Sequence, residues 1–302
     1  MTTRPNTRLR KPALSLAVSI FTAALIAGCV SPAAIRPGSV ASATPVQTGQ
    51  AGAPATPATL PSGFYMRAWQ SQALAPQYIF GWLPAATVAD GHYINGMVAI
   101  PMIYPGPLYV GLSSRAINAA GIDAIVAEAK ADGLLGAKTD FSQGLMPGAI
   151  SAHIEMVVDG VTHQLTGLLP TGPTPATVTP GTPEAFEAFW AKLSSLDTWL
   201  AADLGPSASY QPASIAVMLT KPTDAPSGMT PQVKPWPLSS TFAGFGTAVG
   251  SDRCGVVTGV DLAALLPAVQ AGNALTRFTD STGAISSVNV RVLVPGETGP
   301  CA

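Results

Sequence analysis

Charge is scarce in this chain: 10% of its residues are Asp, Glu, Lys or Arg, and the formal net charge is -1. No basic stripe is available to neutralise phosphates, which excludes nucleic-acid binding as its main task. Histidine is rarer still, and His92, His153 and His163 limit every general-base or metal scheme. Cysteine is equally sparse, with only Cys29, Cys254 and Cys301 and no C-x-x-C spacing. That excludes zinc ribbons and thioredoxin-like redox motifs. The G-x-S-x-G elbow of serine hydrolases, the His-Glu-x-x-His of zinc proteases and a P-loop lysine are also missing. Aromatic residues reach only 7%, yet hydrophobic residues reach 47%. One sizeable core or two small ones can form, so full-length disorder is excluded.

The first thirty residues carry the strongest positive signal. Arg4, Arg8, Arg10 and Lys11 precede an apolar, uncharged stretch over 13–25, the pattern of a secretory leader. Arg8 and Arg10 are separated by Leu9, so the twin-arginine route has no support. Leu25-Ile26-Ala27-Gly28-Cys29 follows and resembles the lipobox of bacterial lipoproteins. The resemblance implies a diacylglycerol thioether on Cys29, cleavage after Gly28, and acylation (palmitate) of the new amino terminus. One acyl chain holds only marginally, because each buried CH2 contributes about 0.8 kcal/mol, so two chains make a stable anchor. The other reading is an uncleaved membrane helix over 13–30. Both leave the cations cytoplasmic and the rest of the chain outside.

Residues 30–63 contain no aromatic residue and a single charge, Arg36, among Pro, Ala, Thr, Ser and Gly. Such a segment buries too little surface to offset its ordering entropy. With Cys29 it is expected to be a disordered tether, residues 29–63, of roughly 30 Å as a flexible coil. The folded region is then 64–302, as one domain or two halves.

Within it, β-prone runs at 64–69 and 78–83 precede a hairpin over 86–94, turned at Asp90-Gly91. Ser113 or Ser114 is the expected cap of a helix carrying Ile117, Ile122, Ile125, Val126 and Ala129 until Gly133. A second hairpin, 150–166, turns at Asp159-Gly160. Thr182-Pro183-Glu184 then opens a helix with Phe186, Phe189, Trp190, Leu193, Leu196 and Leu200 on its buried side. Then come a strand at 213–219, a Pro-rich surface loop at 221–237, a strand at 255–258 and a helix at 261–271. The pattern ends in a hairpin pairing 274–278 with 286–294. Helix followed by hairpin occurs twice. The expected fold is α+β, with antiparallel sheets, helices packed on one face, and two similar helix-plus-hairpin halves as an option.

Without the lipidated Cys29, Cys254 and Cys301 remain as a pair, expected to form a disulfide in an oxidising compartment. Chemical candidates are few. A two-residue turn at Asp159-Gly160 sets residue 156 opposite residue 163. That parity places His163 with Ile154, Met156, Val158, Val161 and Leu165, and turns His153 and Glu155 to the other face with Thr162, Gln164 and Thr166. A metal shared by the two histidines is therefore not expected; His163 reads as a buried histidine and His92 as exposed. Gly244-Phe245-Gly246-Thr247-Ala248-Val249-Gly250 lacks the G-x-G-x-x-G spacing and reads as a turn or bulge. Asp132, Asp140 and Glu155 could pair as glycosidase carboxylates, but charges at element edges usually face solvent.

Several stretches resemble motifs of a group of bacterial envelope lipoproteins of unknown activity. They are Tyr104-Pro105-Gly106-Pro107-Leu108, Ala131-Asp132-Gly133-Leu134-Leu135, Arg253-Cys254-Gly255-Val256-Val257-Thr258-Gly259, and Arg291-Val292-Leu293-Val294-Pro295-Gly296-Glu297 with Cys301. The resemblance implies an envelope lipoprotein and supports the cysteine pairing, but it carries over no catalytic residue. The expectation is an extracytoplasmic, lipid-anchored binding or structural module, without cofactor or metal. Its partners would be the membrane, through the anchor, and an envelope protein met by an exposed patch from Trp69, Trp82 or Trp236. The alternative is a hydrolase whose pocket gathers His153 or His92 with an acid and a hydroxyl.

Overall fold

Two Asp-Gly turns organise the first sheet. Asp90 and Gly91 adopt φ of 50° and 72°, and Asp159 and Gly160 adopt 52° and 78°, the left-handed pair that matches strand twist in a two-residue hairpin. The first turn joins β2 (Ala86–Ala89) to β3 (His92–Asn95), and the second joins β5 (Ser151–Val158) to β6 (Val161–Leu168). With β1 (Tyr65–Ser71), β4 (Ser113–Ala116) and the two-residue β7 (Ala208–Ser209), they form an antiparallel sheet in the order β6-β5-β1-β2-β3-β4-β7. The computed structural model describes residues 63–74, 80–97, 103–142, 148–169 and 177–301. The leader (1–28) and the tether, apart from Gly63, lie outside them.

The second sheet runs β10 (Thr247–Val249), β11 (Asp252–Thr258), β8 (Ser214–Thr220), β13 (Ile285–Val292), β12 (Arg277–Thr279), β9 (Val233–Pro235). All its pairings are antiparallel except β9 with β12. The class is α+β, richer in strand than in helix.

Each sheet shares a core with helices. Met66, Ala68, Val88, Ile154 and Met156 cluster with Ile125 and Ala129 of α1 (Ala119–Ala131) and with Phe186, Phe189 and Leu193 of α2 (Pro183–Ser194). Thr182 caps α2 by accepting from the Ala185 N–H, and Pro183 takes the first helical turn, where no partner for its nitrogen is needed. Phe186 lies so close to β6 that a Cβ on Gly167 would stand 2.4 Å from its ring, so only glycine permits this approach. In the second core, Ile215, Val217, Val257 and Val288 meet Leu262, Leu265 and Val269 of α4 (Gly259–Gln270). A smaller cluster of Ile94, Leu112, Val292 and Val294 joins the two sheets.

Several expectations are corrected. Ser113 and Ser114 cap no helix: they belong to β4, held by β3 and β7. Asn118 caps α1 instead, its Oδ1 accepting from Gly121 N at 2.9 Å. The helix from Pro183 breaks at Ser195, so Leu196 lies in a short α3 (Leu196–Trp199) and Leu200 follows it. The described part of 78–83, residues 80–83, is turn and loop rather than strand. The Pro-rich 221–237 contributes β9, and the glycine segment 244–250 contributes β10, because both lie along sheet edges whose backbone groups need partners.

Candidate functional site

The turn at Asp159-Gly160 fixes the pairing of the second hairpin. Met156 lies opposite His163, Glu155 opposite Gln164, and His153 opposite Thr166. Side chains alternate across a strand, so His153 and Glu155 share one face while His163 lies half-buried on the other. Val161, expected on the apolar face, is 56% exposed at the hairpin tip. On β1 the next row places Trp69 opposite His153 and Arg67 opposite Glu155.

A compact polar network results. His153 Nε2 lies 2.7 Å from Ser71 Oγ, and its Nδ1 lies 3.2 Å from Thr166 Oγ1. A neutral imidazole donates through one nitrogen and accepts at the other, and hydroxyl partners satisfy either tautomer. The ring stacks on Trp69 at 5.2 Å between centroids, and the Arg67 guanidinium carbon sits 4.3 Å from the Trp69 ring centre. Arg67 Nη2 reaches Glu155 Oε2 at 3.4 Å, while Gln164 Nε2 donates to Glu155 Oε1 at 3.2 Å. Burial, helped by the Arg67 charge, holds His153 below its ordinary value of 6.5.

The chemistry follows from these partners. His153 can accept the Ser71 proton, as in a nucleophile–base pair. Behind the ring stands a hydroxyl, however, and the nearby carboxylate is held by Arg67 and Gln164. A neutral ring is favoured, and Arg67 opposes the imidazolium. Stability therefore depends on pH through His153. The unfolded chain takes up this proton near pH 6.5 and the folded chain only below it, so stability falls as the pH drops through 6.5 toward the lower folded value. Melting temperatures from pH 8 to pH 5 are expected to show this slope, and H153N to flatten it.

The other sequence candidates are dispersed. His92 is exposed, with Nδ1 3.0 Å from the Asp90 carbonyl oxygen. Asp132 is buried at the end of α1, its carboxyl raised by desolvation and by Glu128, with no hydrogen-bond partner for Oδ2. Asp140 is exposed and accepts from Ser142 N at 2.8 Å. Asp140 and Glu155 therefore have separate partners, and no hydrogen bond or ion pair joins Asp132 to either. Among the described residues, no group of three His, Cys, Asp or Glu could hold a metal ion. Trp236, expected on a binding patch, is 7% exposed and packs edge-on against Phe242, Phe245 and Phe278. Trp82 is half-buried, and Trp69 lies in the His153 network.

Cys254 and Cys301 form a disulfide with Cα atoms 5.2 Å apart. The segment after β13 runs from the second sheet onto β1 of the first. There Tyr65 Oη donates to Pro295 O at 3.2 Å, and Arg67 Nη1 donates to Gly296 O at 3.0 Å. Burial raises the Tyr65 hydroxyl to about 12, so it stays a neutral donor. Gly296 has φ of 78°, and a Cβ there would stand 2.1 Å from Tyr65 Oη. The tail thus orders Arg67 beside the His153 network.

Sequence reasoning missed a cavity of about 480 Å3 lined by Tyr109, Tyr210, Leu112 and neutral polar side chains, Ser113, Ser207, Ser209, Gln211 and Gln270. It gathers β4, β7, the loop before β4 and the last residue of α4. No motif marks it, because its walls come from segments far apart in the chain. No family model matches this chain, and neither a curated protein nor a solved structure is similar to it.

Proposed function

We propose that the protein is an exported lipoprotein, anchored through acyl chains on Cys29 and carried outside the cytoplasm on the 29–63 tether. Its folded region acts as a binding module that meets an envelope component. The observation that carries this reading is the Cys254–Cys301 disulfide, because such bonds persist in oxidising compartments and are rare in the cytosol. The lipobox-like Leu25-Ile26-Ala27-Gly28-Cys29 agrees with it. The same reading gives each sheet its helices on a single face, in two similar halves, supported by the two separate sheet–helix cores.

Mass spectrometry of the full chain isolated from a bacterial membrane fraction tests the anchor. The expected amino-terminal peptide starts at Cys29 and carries at least two acyl chains, and C29S is expected to leave the membrane fraction. An unmodified Cys29 with the leader still attached would overturn the reading.

The hydrolase alternative rests on one observation, the 2.7 Å approach of Ser71 Oγ to His153 Nε2. It requires Ser71 to react with a fluorophosphonate in a manner lost in H153A. An unlabelled Ser71 leaves the binding reading in place.

A further inference from the structure

We infer that the cavity between Tyr109 and Tyr210 is a site for a neutral saccharide of one or two rings. This names a ligand class for the binding module proposed above and rests on that reading. At about 480 Å3, the cavity falls within the roughly 300–1,000 Å3 typical of small-molecule sites.

The lining is uncharged throughout. A phosphate or carboxylate ligand would need a cation or a helix N-terminus. Here the neighbouring helix end is the C-terminus of α4, at Gln270. A helix C-terminus carries partial negative charge and disfavours anions, and the cation bound there, Lys234, is held by the Ala271 carbonyl oxygen at 2.8 Å and does not line the cavity.

The polar groups on the wall are uncommitted. Among the described residues, the side chains of Ser207, Ser209, Gln211 and Gln270 make no hydrogen bond to the rest of the protein. An amide supplies both donors and an acceptor, which suits adjacent sugar hydroxyls. The aromatic rings, in contrast, are held in place. Tyr109 packs against both the second core and the cluster joining the sheets, and Tyr210 packs against that same cluster. Tyr210 Oη also reaches the Leu293 carbonyl oxygen at 3.5 Å. Fixed, half-buried rings beside free amides and hydroxyls present an apolar surface for the C–H face of a pyranose and hydrogen bonds for its rim, with little ordering left to do on binding. An added peptide strand fits less well, because β7 offers only the two residues Ala208–Ser209 as a template.

The test is ligand-observed saturation-transfer NMR followed by calorimetry, on the full chain in a detergent without a sugar headgroup. The probes are cellobiose, maltose and N,N′-diacetylchitobiose, with glucose 6-phosphate and a neutral Ala/Gly tetrapeptide as contrasts. At least one disaccharide is expected to bind saturably, with Kd on the order of 1 mM or tighter. The exposed double variant Q211A/Q270A is expected to weaken it about tenfold or more without moving the melting temperature. Absence of saturation by all three disaccharides would overturn the site. So would undiminished affinity in Q211A/Q270A, or tighter binding of the phosphate or the peptide. Loss of sugar binding with Cys29 acylated removes this inference alone, and sugar binding by a chain with unmodified Cys29 removes the anchor alone.

Discussion

The C254A/C301A variant is expected to lose about 4 kcal/mol of stability, from the entropy of closing a loop with a sequence separation of 47. For a folded region of this size the melting temperature should fall by about 8–16 °C. The effect is large because of what the bond restrains. Cys254 is buried in β11, beside the central β8, whereas Cys301 lies in the tail that leaves β13 and crosses to β1. Without the covalent tie, the tail is held by the hydrogen bonds of Tyr65 and Arg67 and by the Arg291–Glu297 pair. Thermal unfolding with and without reductant checks this: reductant should lower the wild-type midpoint as far as the double substitution does and leave the variant unchanged. A variant melting with wild type would show that the tail is held without the bond.

The second large effect is expected from E297A, at about 3–5 kcal/mol, as when one partner of a buried ion pair is removed. The Arg291 and Glu297 side chains are 8% and 11% exposed and hydrogen-bonded to each other. Burial pulls the Arg291 guanidinium below its ordinary value, the Glu297 carboxylate opposes that shift, and Arg67 adds to it. Removing Glu297 leaves a desolvated cation beside a second one and takes the acceptor from Val294 N, 3.3 Å away. R291M/E297L, which keeps the volume and removes both charges, is expected to recover most of the loss. Denaturant unfolding of the three proteins at low and high salt checks both points, since screening barely reaches a buried pair. A double variant as unstable as E297A would place the cost in packing rather than in the unpaired charge.

Much of the local structure was legible in the sequence. Asp90-Gly91 and Asp159-Gly160 call for left-handed backbone, and the strands beside them follow. From that turn alone comes the parity that separates His163 from His153 and Glu155. Thr182-Pro183 opens α2 because a cap and a preset φ act within one turn of chain. The start of α1 was not legible. Ser113–Ala116 has no strand character of its own and becomes β4 only because β3 and β7 flank it. Nor was the burial of Trp236, whose Pro-rich segment reads as surface until β9 pairs with β12. At the candidate sites, the face of His153 was legible but not its partner Ser71, which sits on a strand 82 residues earlier. The Tyr109–Tyr210 cavity had no local signature at all.

From the sequence alone came what neighbouring residues impose on one another: turn handedness, strand parity, the cap of α2 and the pairing of the two cysteines left in the folded region. Only the tertiary structure decided which strands share a sheet, where the tail crosses, and which uncommitted side chains surround a cavity. The reason is physical. Backbone torsions and side-chain alternation act over a few residues, whereas sheet partners and cavities arise when apolar faces far apart in the chain bury one another and leave their polar edges to meet.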